Sequence, residues 1–265
     1  MHIGYSTLFS NVTPLSVLTL SVAACCTATI VESAEPDSND YTYRWRQREG
    51  KVHVLWIGGG HWHDTLETAA ILRRVLERTG QFHVTYSEDT NSLRRLDNYD
   101  VVCLAAMLES LAPAEEQALL DTVRQGKPLL ALHAASACFR KPSPAKKIDP
   151  VAEHPQFYEM LGGYVERHPP LGPIEIRVCP TDHPVTSGLN DFLIEDELFL
   201  FREGPHDNHV LLDTIYEGKR RPLAWTRNWG AGRVLHIALG HGTKAAEDSA
   251  FKQLILNGFA WLASD

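Results

Sequence analysis

Gly126-Lys127-Pro128-Leu129-Leu130-Ala131-Leu132-His133-Ala134-Ala135-Ser136 is the stretch from which the fold can be read. Gly126 and Pro128 signal a turn, and Leu129 to Leu132 is a short apolar run suited to a strand buried on both faces. The run stops on His133, and the small residues after it leave space around the ring. In open α/β sheets, ligands bind in the crevice beyond the carboxyl ends of the strands. His133 is therefore a candidate for direct contact with a ligand, and groups arriving at the same edge are its candidate partners.

Upstream, Lys51 to Ile57 reads as a first strand running into Gly58-Gly59-Gly60-His61-Trp62-His63-Asp64. A helical face follows, with Leu66, Ala69, Ala70, Leu72, Val75 and Leu76 leading to Gly80. Phe82 to Ser87 and Asp100 to Ala105 read as strands. Pro113-Ala114-Glu115-Glu116 opens a helix, with proline early and acids in the first turn. This βαβαβαβ order predicts an α/β fold with a flavodoxin-like, doubly wound, mainly parallel sheet.

Downstream the pattern changes. Ala134 to Val151 reads as a loop, and Pro155 to Leu161 as a short helix closed by Gly162-Gly163. Strand patterns at Ile174–Val178, Glu197–Phe201, Val210–Tyr216 and Pro222–Thr226 carry no long helix between them, which predicts an antiparallel or mixed extension of the sheet. Gly232 to Leu239 is a last buried strand ending at Gly240-His241-Gly242, and Phe251 to Leu262 a final amphipathic helix.

With 265 residues the chain can bury a full core, and a net charge of -8 argues against a nucleic-acid surface. The five cysteines form neither a disulfide framework nor a CxxC spacing. Residues 1–34 are expected to be a leader. Leu15 to Cys26 is apolar over about the length of a signal peptide, and Val22-Ala23-Ala24-Cys25 resembles a lipobox with Cys25 as lipid anchor. Export is the expectation, and a misassigned start codon would instead leave the chain cytoplasmic. Residues 35–50 read as a linker or arm, and 51–265 as one domain.

Leu132-His133-Ala134-Ala135, Leu161-Gly162-Gly163, Arg167-His168-Pro169, Asp182-His183-Pro184, Asp196-Glu197, Ala224-Trp225-Thr226, and Gly232-Arg233-Val234 leading to Leu239-Gly240-His241 together resemble the trehalose-utilisation (ThuA-like) family. The resemblance runs from about Lys51 to Leu262. It implies a class I glutamine amidotransferase-like fold and a link to sugar metabolism, but no defined reaction. In that superfamily a nucleophilic Cys sits on the elbow within G-x-C-x-G. Here Ala131-Leu132-His133-Ala134-Ala135 puts a histidine in its place, so glutaminase chemistry is not expected. His241 matches the position of the superfamily's partner histidine.

The sheet topology brings the loops after strands one and four, and the loop after the last strand, to one edge. His61 or His63, His133 and His241 meet there, and by resemblance His168 lies nearby. Imidazoles converging with a carboxylate have the composition of a zinc or other divalent transition-metal site. His61, His133, His168 and His241 are the expected ligands; His61 is favoured over His63 because it follows Gly60 directly. Glu197 and Asp64 are the candidate acids, and Glu197 is favoured because an acid heading a strand has no packing value. His133, His241 and Glu197 are the expected catalytic groups.

Gly59, Gly60, Trp62, His168, Arg202 and Trp225 are expected to contact substrate: the glycines by close backbone approach, the indoles by stacking on a sugar face. Trp229 and Arg140 are weaker candidates of the same kinds. The glycine run lacks G-x-G-x-x-G spacing, so no nucleotide is expected. The leading functional expectation is action on a sugar or keto-sugar derivative at a His-rich, metal-binding crevice, with a small carbohydrate as partner. The alternative is a non-catalytic carbohydrate-binding or scaffold domain. Whether the chain is an enzyme, and its oligomeric state, stay open at this point. Hydrolysis by paired carboxylates ranks lowest, because nothing sets the separation of Asp64 and Glu197.

Overall fold

The computed structural model describes residues 49–60, 62–139, 149–202 and 207–264. The leader, Cys25, His61, Arg140 and His206 lie outside the described residues.

Strands β1 (Val52–Ile57), β2 (Phe82–Ser87), β3 (Val101–Leu104) and β4 (Leu129–Leu132) form with two intervening helices, α1 (Thr65–Glu77) and α2 (Pro113–Arg124). Two short helices follow, α3 (Pro150–Glu153) and α4 (Pro155–Leu161). The chain then lays down β5 (Val165–Arg167), β6 (Gly172–Val178), β7 (Phe192–Asp196), β8 (Leu200–Phe201), β9 (His209–Tyr216), β10 (Lys219–Trp229) and β11 (Gly232–Ile237). It ends on α5 (Thr243–Glu247) and α6 (Ser249–Ala263). Among the described residues, nine strands make one sheet in the order β2-β1-β3-β4-β11-β10-β9-β6-β7, and β5 pairs with β8. The fold is mixed α/β around a large central sheet. Its β2-β1-β3-β4-β11 part is parallel and its β11-β10-β9-β6-β7 part antiparallel.

The alternation of β1 sorts its side chains onto two cores. Val54 and Trp56 pack with Leu72, Leu76 and Phe259 on one face, and Leu55 and Ile57 pack with Leu93, Leu119 and Val123 on the other. All four β1 residues are fully buried, which explains a run too apolar to show a solvent face. Helix α1 begins where Asp64 accepts the Glu67 N–H (3.2 Å). The opening of α2 has Pro113 at its first turn, and Glu115 closes back on the Ala112 N–H (3.3 Å).

Several elements differ from the sequence reading: β5, β7, α3 and α5 were not expected at all. Residues Thr90–Asn98 and His133–Ala137 form 3₁₀ turns where none was expected, the second replacing the start of the predicted loop. The strand expected at Glu197–Phe201 is only Leu200–Phe201, and Glu197 does not head it. Instead β7 ends on Asp196, with Glu197 just beyond. This strand escapes the pattern because Leu193 is 63 % exposed and so interrupts the polar side of the alternation.

The end of β7 is held to the loop after β11 by one side chain. Asp196 is buried (1 % exposed), and its carboxylate accepts the N–H groups of Glu197 (2.9 Å), Gly240 (2.7 Å) and His241 (3.0 Å). Below His133, Ser136 Oγ and His236 Nε2 share a hydrogen bond of 2.6 Å, and His236 stacks flat on Trp225 at 4.0 Å. Ser136 and His236 have no exposure at all, so this Ser-His pair is a packing device and not a nucleophile. Burial, with a smaller contribution from His133, pushes the His236 imidazole from an ordinary 6.5 down to about 3.

Two outcomes follow. Asp196→Asn offers one carbonyl oxygen to three donors and is expected to cost about 2 kcal/mol of unfolding free energy in urea titration. His236 has a folded value below its unfolded one, so the unfolded chain takes up the proton first. The stability tied to its neutrality is complete above pH 6.5 and is lost as the pH falls towards 3. Between about pH 7 and about pH 5 the wild type is expected to lose about 2 kcal/mol more than His236→Asn. Equal slopes for the two proteins would contradict this.

Candidate metal centre

The site is built on the ends of β1, β4, β7 and β11. At the end of β4 the chain turns through His133 with φ +36°, a left-handed conformation that side chains other than glycine rarely adopt. The strain is tolerated because the ring is fastened. His133 Nδ1 lies 2.6 Å from the Ala238 carbonyl oxygen just beyond β11, and the ring stacks on Phe199 at 4.1 Å. A carbonyl only accepts, so Nδ1 carries a proton, and Nε2 is the nitrogen left to face the crevice.

That Nε2 faces Glu197 Oε2 at 3.4 Å. His241 Nδ1 stands 3.3 Å and His63 Nε2 3.8 Å from the same oxygen. The three rings lie edge to face around one point, with centroids 4.9 to 5.3 Å apart. One ligand atom each from His63, His133, Glu197 and His241 falls within 4.8 Å of the others, so the group could hold a metal ion. His133 and Glu197 are buried, and His63 and His241 are partly open. His133 Nε2 and His241 Nδ1 make no hydrogen bond despite their distances to the carboxylate. Burial alone would raise the Glu197 carboxyl, but the surrounding imidazoles outweigh it and hold the group well below the usual carboxylate range. Burial lowers His63, whereas Glu197 draws His241 upward.

Of the residues expected at this edge, His133, Glu197 and His241 come together here. His168 reaches the other oxygen of the same carboxylate, with Nδ1 2.8 Å from Glu197 Oε1, but stands outside the four-ligand group and is half exposed. From the His61-Trp62-His63 run it is His63 that enters the cluster, while His61 lies outside the described residues. The capping pattern Asp64-x-x-Glu67 was the signal for it: a helix starting at Thr65 sets His63 immediately before the N-cap, at the carboxyl edge of β1. Asp64, the other candidate acid, spends its side chain on that cap.

The expected substrate contacts fare unevenly. Trp225 is 1 % exposed, pressed on His236, and donates its N–H to Leu161 (2.9 Å), so it cannot stack on a ligand. Trp229 is buried likewise and donates to Leu120. Arg202 is answered by Asp149 (3.1 Å) and lies over the Tyr164 ring, so its charge is already engaged. Gly59 gives its N–H to Thr65 Oγ1 (2.8 Å). At Gly60 (φ +106°) a Cβ would stand 2.6 Å from the Met107 carbonyl. Gly60 thus serves close approach to the protein's own backbone, while Gly59 borders the Glu88 side chain. Trp62 remains open, 68 % exposed beside His63. Cys138, five residues past His133, is fully buried, and burial pushes its thiol up to about 12, which leaves no activated thiol near the elbow.

The family model described as ThuA, trehalose utilisation, matches residues 51–262. No curated protein matches the chain. Among solved structures, a ThuA-like protein from Parabacteroides merdae aligns with a TM-score of 0.69 and 20 % identity, over 81 % of this chain and 90 % of that one. A ThuA-like protein from Bacteroides uniformis aligns with a TM-score of 0.66 and 20 % identity, over 81 % and 92 %. A β-galactosidase from Bacillus circulans sp. alkalophilus aligns with a TM-score of 0.56 and 13 % identity, over 80 % of this chain and 31 % of that one, a likeness of fold alone. The chain, matched across nearly all of its described length, belongs to the trehalose-utilisation (ThuA) family.

Proposed function

We propose that the chain acts in sugar utilisation by holding a divalent transition metal on His63, His133, His241 and Glu197 and presenting it to a sugar or keto-sugar derivative. The observation that carries this reading is the convergence of one ligand atom each from His63, His133, Glu197 and His241 within 4.8 Å. His133 Nδ1 is engaged by the Ala238 carbonyl, which leaves Nε2 directed at Glu197 Oε2 at 3.4 Å. With the ring neutral, a cation between the two groups satisfies both. A mixed imidazole and carboxylate donor set suits zinc or a related ion. Bound there, such an ion supplies Lewis acidity towards a hydroxyl or carbonyl oxygen.

The chain's own groups supply the rest of the proposal. Half-exposed His168, its Nδ1 2.8 Å from Glu197 Oε1, is the group suited to move a proton at the mouth of the crevice. The open indole of Trp62 is the stacking surface for a sugar ring. The order β2-β1-β3-β4-β11 supports reading the parallel part as a flavodoxin-like, doubly wound unit, in which a site at the strand ends is expected.

Purified without chelator, the protein is expected to carry one zinc or similar ion per chain by elemental analysis. His133→Ala is expected to weaken binding by more than about 100-fold, beyond the range typical of second-layer groups. Binding is expected to fall as the pH drops below the ordinary imidazole value, because a ligating ring must be neutral. Trp62→Ala is expected to keep the metal and weaken sugar binding by about tenfold. Incubation with oxidised disaccharides then separates turnover from binding alone. A wild type that takes up no metal at neutral pH would remove the proposal.

A further inference from the structure

The space over the metal cluster is too small for a sugar. Bounded by His63, His133 and His241, it measures about 10 Å³, room for about one water or an ion. A second cavity, of about 380 Å³, opens on the antiparallel part of the sheet, between the β5–β6 connection, the end of β7 and the end of β9. None of the four candidate ligands lines it. Its walls nevertheless run up to the cluster. Pro169 directly follows His168, whose Nδ1 lies 2.8 Å from Glu197 Oε1. Asp196 and Leu198 flank Glu197 in the chain, and Asp196 accepts the His241 N–H (3.0 Å). The volume of this groove falls within the roughly 300–1,000 Å³ of small-molecule clefts, and the cluster's own space does not.

We propose that this groove is the subsite for the second ring of an uncharged glycoside whose first ring lies at the cluster. The inference rests on the sugar reading of the site and does not require the metal. The walls select the occupant. Pro169, Pro170, Leu198 and Ile215 supply apolar surface, and Ile215 is left 52 % exposed in an open cavity, where apolar side chains mark a contact face. Such surface suits the C–H faces of a sugar ring. Tyr216 and Glu175 line the same space and offer the donor and the acceptor that ring hydroxyls need. Among the described residues the walls carry two carboxylates, Glu175 and Asp196, and no lysine or arginine. Glu175 is exposed, whereas the Asp196 carboxylate is answered by three N–H groups. A phosphate ester would meet the Glu175 charge with no cation in the walls to offset it. The groove therefore favours a neutral ring over a phosphorylated one, and its acid disfavours a purely hydrocarbon aglycone.

Calorimetric titration of the full chain with glucose, trehalose, trehalose monophosphate and nitrophenyl glucoside tests this. Trehalose is expected to bind about tenfold or more tighter than glucose and than its own phosphate ester. Ile215→Trp fills the groove from its exposed wall. It is expected to bring trehalose down to the glucose affinity, with glucose affinity and zinc content unchanged. Glu175→Lys is expected to raise the affinity for trehalose monophosphate by about tenfold, a gain that a misfolded variant cannot give. Where Ile215→Trp does not fold, Glu175→Lys decides alone. Trehalose affinity that survives Ile215→Trp in a protein with an unchanged circular dichroism spectrum overturns the proposal, and so does equal affinity for trehalose and its phosphate. Nitrophenyl glucoside bound more tightly than trehalose, and lost in Ile215→Trp, overturns the sugar ring as occupant. A wild type that binds neither glucose nor trehalose removes the sugar reading and this inference with it. A wild type without zinc that still prefers trehalose keeps the groove and loses only the metal.

Discussion

The hydrogen bond from His133 Nδ1 to the Ala238 carbonyl is the contact on which the site depends. It joins the ends of two adjacent parallel strands, β4 and β11, and holds a residue at φ +36° in a conformation that costs on the order of 1–3 kcal/mol. It also decides the ring's chemistry. With Nδ1 engaged by the carbonyl, Nε2 is the nitrogen left to face Glu197. A local backbone strain and a single buried bond thus aim one ring of the four-residue cluster that could hold a metal ion.

The second constraint is topological. Strand β7 is the far edge of the sheet, separated from β11 by β10, β9 and β6, yet Glu197 has to reach the histidines. Asp196 accomplishes this by accepting two N–H groups from the loop after β11 and one from its own neighbour. The pair of acids therefore divides its work. Asp196 is spent on backbone donors and holds the loop, which frees Glu197 to face the rings. Helix α1 completes the arrangement, since its N-cap fixes where His63 leaves β1.

Much of the fold was legible in local signals. The strand β2 and the helices α2 and α4 start and stop where proline, glycine and capping residues say they should, because these residues act through their own backbone. The strand β7 was hidden by exposed Leu193, and with it the true placement of Glu197. Trp225 was misread for a related reason: an aromatic on a strand looks the same in sequence whether it packs on His236 or faces solvent. Gly60 after β1 announced close approach correctly, but the partner it approaches is the protein's own Met107, far away in the chain.

The sequence by itself determined that an apolar strand ends on His133, that a second histidine follows the last strand, and that a topology of alternating strands and helices gathers such ends at one edge. Periodicity and turn chemistry are local properties, so a single chain displays them. Only the tertiary structure decided that His63 joins the cluster, that Asp64 caps a helix and leaves Glu197, already favoured, as the acid, and that His133 Nδ1 donates to the Ala238 carbonyl. Those outcomes depend on distances between residues as far apart in the chain as His63 and His241, and contacts of that range leave no periodic trace in the sequence.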